Sequence, residues 1–168
     1  MIDAILRDLR QPEYVHVLLN PIPVYGLAIA FFGLIAATYL GTRGGQITAL
    51  VLIFACAAAA WPVVHYGEAA EDRVQAMADD DGAAWLKAHA HRADQVVCLY
   101  YILAAVSAAA IFAPAIWPKT SRPLAILTLL LTVVSLVAGS YIAHAGGKVR
   151  HREFRSVPPP KTLESESD

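Results

Sequence analysis

Charged side chains are scarce in this 168-residue chain, where Asp, Glu, Lys and Arg together make up 16% of the residues. A soluble domain usually has about a quarter of its residues charged. Four blocks contain none of these residue types, namely 22–40, 47–64, 96–117 and 124–145. Each approaches the roughly 20 residues that a helix needs to cross a bilayer. The scarcity argues against an ordinary soluble domain and predicts four transmembrane helices, TM1 to TM4 in that order.

The backbone of such blocks has no water to bind inside hydrocarbon, so its N–H and C=O groups must pair within a helix or a closed barrel. Blocks of this length favour helices, and the glycine-rich connection 41–46 is short enough to make TM1 and TM2 antiparallel neighbours. We therefore predict an all-α membrane protein, a four-transmembrane-helix up-down bundle in contact with the lipid bilayer.

Cysteine and net charge are also low. The chain has two cysteines, Cys56 inside TM2 and Cys98 near one end of TM3, and we expect no disulfide between them because they differ in depth. The formal net charge is −1, which provides no broad basic surface for phosphates. Nucleic acid is therefore excluded as a partner.

The predicted transmembrane domain, residues 16–155, is preceded by a short amphipathic segment, residues 1–15. Four apolar residues of this segment recur at the spacing of one helix face: Ile2, Ile5, Leu6 and Leu9. Such a helix is predicted to lie in the membrane interface.

The chain after TM4 changes in composition. Gly146 and Gly147 are predicted to end TM4 as a C-cap. Residues 156–168 contain three consecutive prolines and an acidic, serine-rich end, which predicts a disordered tail.

Short-loop lysines and arginines predict the orientation of the bundle. One face carries Arg43, Lys119 and Arg122, whereas the other carries a larger set: Arg7, Arg10, Arg73, Lys87, Arg92 and the basic segment after TM4. Because cytoplasmic loops are enriched in such residues, we predict a multi-pass membrane protein with both termini cytoplasmic.

All six histidines are predicted to lie at the face that carries the termini. They flank the ends of the four apolar blocks: His16, His65, His89, His91, His144 and His151. Ionisable groups at membrane depth are costly, so their presence indicates function. The histidine face is therefore the candidate site.

An up-down bundle places TM1 diagonal to TM3 and TM2 diagonal to TM4. This gives two pairs of candidate axial ligands for haem b, His65 with His144 and His16 with His91 or His89. Lys148 and Arg150 follow TM4 and are candidates to pair with haem propionates.

The leading functional prediction is an electron-transfer subunit that exchanges electrons with quinone or with a membrane or peripheral redox protein. No nucleophile–base spacing or phosphate loop indicates a stand-alone enzyme. The role of an electron carrier or accessory subunit is therefore preferred.

Two alternatives remain open. A non-haem site for Zn, Fe or Cu could use histidine nitrogens together with a carboxylate that lies one helical turn after His65. Its candidate ligands are His16, His65, Glu68, His91 and His144. In the second alternative the protein is a cofactor-free structural accessory subunit whose histidines bind headgroups and one another.

The sequence resembles a family of small four-helix bacterial membrane proteins of unknown function, which implies a location in the bacterial inner (cytoplasmic) membrane. The resemblance rests on residues 16–26 entering TM1, 67–71 after TM2, a histidine before TM3 and 146–153 after TM4. Pro21 stands where members typically carry a second histidine. The resemblance implies a site centred on His16, Glu68 and the histidine before TM3, and it also includes His151.

Overall fold

The structure is a computed structural model that describes residues 2–160. Its helices in chain order are α1 (Ile2–Asp8), α2 (Pro12–Leu19), α3 (Leu27–Tyr39), α4 (Arg43–Ala58), α5 (Ala60–Met77), α6 (Asp80–Ile116) and α7 (Ser121–Arg150). Short helical turns cover Ile22–Gly26, Pro118–Thr120 and Arg152–Phe154. Residues 2–160 contain no strand. The predicted all-α fold is confirmed; of the predicted tail, residues 161–168 lie outside the described part.

Four helical segments are long and apolar enough to cross a membrane, namely Pro12–Tyr39, Arg43–Met77, Asp80–Ile116 and Pro118–Arg150. The protein is a multi-pass membrane protein. Three of these segments continue well past the uncharged blocks at the end that carries the histidines, so polar as well as apolar residues line the bundle there.

The four segments pack in a ring, α3 against α4, α4 against α6, α6 against α7, and α7 against α3. This is the order expected of an up-down bundle. Large aliphatic side chains fill its centre and are fully buried: Leu27, Leu34, Leu50, Ile53 and Leu103. Apolar side chains on the outer faces are exposed, among them Phe32, Leu130 and Val137, as contact with lipid requires.

Small and hydroxyl residues allow α6 and α7 to approach closely. Ser107, Thr128 and Thr132 are fully buried, and each hydroxyl donates to the carbonyl four residues earlier in its own helix. This pairing removes the cost of placing an unsatisfied hydroxyl in an apolar interface.

The segment that carries TM1 contains two prolines and is helical through both of them. Pro21 and Pro23 lack N–H donors, and the chain passes this region in a π-type turn, Ile22–Gly26, in which the N–H of Leu27 bonds Ile22 O. The turn separates α2 from α3. As a result, His16 lies inside a helix, α2, that packs on α5.

The predicted C-cap at Gly146 and Gly147 is wrong. Helix α7 continues through Gly146 and Gly147 to Arg150, and among the described residues only Gly41 has a positive φ, +66°. Packing explains the continuation, because Lys148 and Val149 are buried and Lys148 Nζ lies 4.2 Å from the ring centroid of Trp85.

The α5–α6 turn and the C-terminal segment are joined through Asp79. Its carboxylate accepts from Gly82 N at 2.9 Å and thereby caps α6. It also pairs with Arg152 at 2.8 Å and with Arg155 at 2.9 Å, and Arg155 donates to the carbonyl of Lys148 at the end of α7. The bond from Arg155 is the first cause that holds the pKa of Asp79 down at about 2.

Candidate functional site

A cavity of about 510 Å³ lies at the histidine end of the bundle. One wall is formed by α2 and α5, and the other by α6 and α7. The volume falls within the range of small-molecule and cofactor sites. Several of its lining residues are small, including Ala60 and Ala70 on α5, Ala90 and Ala93 on α6, and Ala143 on α7. The space between the two helix pairs is therefore wide enough to take a ligand.

His16 extends from α2 into this cavity. Its Nδ1 lies 2.8 Å from the carbonyl oxygen of Val63 on α5. Because a carbonyl oxygen can only accept, the hydrogen bond requires the proton to be on Nδ1. The lone pair of the neutral ring is then on Nε2.

His89 repeats this arrangement from the opposite wall. Its ring is half-buried, and Nδ1 lies 3.0 Å from the carbonyl oxygen of Ile142 on α7. The same reasoning leaves the Nε2 of His89 with the lone pair. Each helix pair thus supplies one imidazole whose tautomer is set by a backbone carbonyl.

The two rings face the same space. Their centroids are 6.2 Å apart and their planes are inclined at 89°. Two imidazoles on opposite sides of one metal ion would have centroids roughly 6.4 Å apart, taking a metal–nitrogen bond of about 2.0–2.1 Å. The observed centroid separation is close to that value.

Tyr100 closes the inner end of the cavity. Its hydroxyl donates to Ser135 O at 2.9 Å, and the side chain is buried. A Cβ at Gly139 would collide with this hydroxyl, so the glycine is what allows the tyrosine to lie against α7. The cavity therefore ends in an apolar wall that carries one satisfied hydroxyl.

Carboxylates dominate the outer rim. Glu13 pairs with Arg73 at 3.0 Å, whereas its Oε2 is buried and has no hydrogen-bond partner among the described residues. Glu68, Glu71 and Asp94 are further carboxylates among the lining residues, and Arg150 is the one lysine or arginine among the described lining residues.

The structure does not bring His65 and His144 together. Both are exposed, and neither lines the cavity. The ring of His65 stacks on Trp61 with centroids 5.6 Å apart and planes inclined at 3°. The two residues share a level in the bundle but lie on its outer faces.

The other predicted residues divide in the same way. His91 is exposed and accepts from Gln95, so of the two histidines before TM3 it is His89 that faces inward. Lys148 is buried against Trp85 and is absent from the cavity wall, whereas Arg150 and Glu68 line the opening.

Sequence reasoning left the choice between His89 and His91 open, although a signal was present. Leu86, Ala93, Val97 and Tyr100 recur at helical spacing and form one face of α6 that lines the cavity. His89 follows Leu86 by three residues and lies on that face, whereas His91 does not.

Within residues 2–160 no group of three or more His, Cys, Asp or Glu side chains is arranged to hold a metal ion. Cys56 and Cys98 are both free thiols. Comparison with protein-family models, curated proteins and solved structures finds no match.

Proposed function

We propose that this protein binds haem b between His16 and His89 and acts as an electron-transfer subunit of the membrane. The observation that carries the proposal is the pair of inward imidazoles, 6.2 Å apart, each with Nδ1 on a backbone carbonyl. Among the candidate pairs, this is the one that shares a cavity.

The number of protein ligands favours haem over a mononuclear metal. Protein-bound Zn²⁺ takes three or four protein ligands, and the described residues offer two imidazoles here with no third ligand grouped beside them. A haem brings four equatorial nitrogens and needs only axial ligands from the protein. The cavity of about 510 Å³ also has the volume of a cofactor site.

Haem supplies the one-electron chemistry, and the residues of this chain set its environment. The carbonyls of Val63 and Ile142 fix the orientation of the two imidazoles and increase the basicity of each Nε2. A haem held between α5 and α6 would have little access to water, and solvent exposure is one of the factors that set a reduction potential. Arg150 is the one lysine or arginine among the described lining residues and is the candidate partner of a propionate.

The setting proposed for this activity is the bacterial inner membrane, with both termini in the cytoplasm. The excess of lysine and arginine at the histidine end supports this orientation. Electrons would be exchanged with quinone or with a membrane or peripheral redox protein that reaches the opening of the cavity.

The absorption spectrum of protein purified from cells supplied with haem tests the proposal. We expect a Soret band and, on reduction, the narrow bands of a six-coordinate low-spin haem. A protein purified without a Soret band, and unable to take up added haem, would contradict the proposal.

Glu13 favours a second candidate, a non-haem transition-metal site. Its Oε2 is buried without a hydrogen-bond partner in the described part of the chain, and the residue lies three positions before His16 on α2. A carboxylate one helical turn before His16 would add an oxygen donor of the kind that suits zinc or iron. Metal analysis of the purified protein separates this candidate from haem, and Glu13→Gln should then reduce the metal content.

A further inference from the structure

Both histidines are held by the same local arrangement. His16 bonds the carbonyl of Val63, and Gly67 lies four residues later on α5; His89 bonds the carbonyl of Ile142, and Gly146 lies four residues later on α7. In an α-helix the carbonyl of one residue lies beside the residue four positions on. Each imidazole therefore lies over a glycine.

The two glycines leave only enough room for the rings. A Cβ on Gly67 would lie 3.0 Å from Nδ1 of His16, and a Cβ on Gly146 would lie 2.9 Å from both Nδ1 and Cε1 of His89. These distances are shorter than an ordinary carbon contact, so an added methyl group would push each ring away from its carbonyl.

The chain repeats this arrangement in its two halves. The sequence reads His65-Tyr66-Gly67 at the end of the first transmembrane pair and His144-Ala145-Gly146 at the end of the second. In each repeat the histidine points outward and the glycine inward. The two helix pairs thus provide two equivalent half-sites.

We infer that Gly67 and Gly146 are the positioning residues of the site, each leaving the space in which the imidazole of His16 or His89 is held against a helix carbonyl. The inference depends on the proposed haem function. It explains why glycine, a poor helix former, occurs inside both helices at the level of the ligands. It also gives a role to the glycine of each His-x-Gly sequence.

Gly67→Ala and Gly146→Ala test the inference, with Gly147→Ala and Gly33→Ala as matched controls. A Cβ on Gly147 would meet Phe154 at 3.6 Å and one on Gly33 would meet Ala49 at 3.8 Å, both ordinary contacts. Loss of the groups that orient a ligand typically weakens metal binding about 10–100-fold. We expect that loss of haem affinity, with a shift from low-spin toward high-spin spectra, in the two test variants and not in the controls.

Replacing His16 with glycine separates the effect of Gly67→Ala on the position of the imidazole from its effect on folding. In His16→Gly the space beside Gly67 is vacant, so His16→Gly/Gly67→Ala has room for its added methyl group. Added imidazole should restore the low-spin spectrum of His16→Gly, and the double variant should need about ten times more imidazole. This comparison decides the question even where Gly67→Ala does not fold.

The outcomes distinguish the inference from the function on which it depends. Wild-type protein that binds no haem overturns both. Wild-type protein that binds low-spin haem, with both alanine variants unchanged or with equal imidazole requirements for the two His16→Gly proteins, overturns only the role of the glycines.

Discussion

The guanidinium of Arg43 replaces a hydrogen bond that Pro114 removes from α6. Pro114 has no N–H, so the carbonyl of Ala110, four residues earlier, lacks its helical donor. Arg43 Nη2 donates to Ala110 O at 3.2 Å and to Ile111 O at 2.9 Å. A single side chain from the start of α4 thereby satisfies the backbone of a neighbouring transmembrane helix.

We expect Arg43→Met to destabilise the bundle by about 1–3 kcal/mol, because it leaves a partly buried carbonyl without a donor. Unfolding in mixed detergent micelles measures the change in the free energy of unfolding.

Pro114→Ala provides the matched control, since alanine restores the missing N–H. In the Pro114→Ala background the cost of Arg43→Met should be smaller, and a double-mutant cycle measures the difference. An equal cost in both backgrounds would contradict the assignment.

The limits of sequence reasoning at this scale are clear from the histidines. Position along the chain gave the depth of all six but not the direction of each around its helix. His65 and His144 lie at the same depth, as a ligand pair would, but both side chains are exposed on the outside of the bundle. The spacing of apolar residues around His89 indicates which side of α6 faces the cavity. It distinguishes His89 from His91 only once the opposite wall of the cavity is known.

At the scale of elements, the Asp79 cluster joins the α5–α6 turn to the end of α7 through Arg152 and Arg155. The pKa of Asp79 is lowered from its ordinary value of 3.8 to about 2. A group whose pKa is lower in the folded state contributes stability above its unfolded pKa and loses that contribution as the pH falls through the folded pKa.

Asp79→Asn should therefore lower the melting temperature at pH 5, and the difference from wild type should shrink as the pH falls from about 4 to about 2. Asparagine can still cap α6, so the variant isolates the charge. Melting curves recorded by circular dichroism at several pH values measure this difference. A difference that is absent at pH 5, or that remains full at pH 2, would count against the ion pairs.

Helical elements were more predictable than their ends. The uncharged blocks alone located four spans, because charge is excluded from hydrocarbon. The extension of α7 past Gly146 and Gly147 depends on the burial of Lys148 and Val149. That burial is a tertiary contact, and the local signal of two glycines predicts the opposite.

At the scale of the whole molecule, an even number of spans places the two ends of the described chain, residues 2 and 160, at one face of the membrane together with the cavity. We expect that face to be cytoplasmic. A reporter enzyme that is active only outside the cytoplasm should be inactive when fused after Pro160 and active when inserted at Lys119, in the turn at the other end of the bundle. The reverse pattern would invert the orientation and expose the cavity to the other compartment.

Haem binding by two pairs of double variants tests the central claim most directly. Each pair lies at the same level of the bundle, but only one faces the cavity. His16→Ala/His89→Ala should abolish the low-spin spectrum in a haem titration, whereas His65→Ala/His144→Ala should bind haem as tightly as wild type and give the same spectrum. Loss of the spectrum in the second protein with retention in the first would contradict the account.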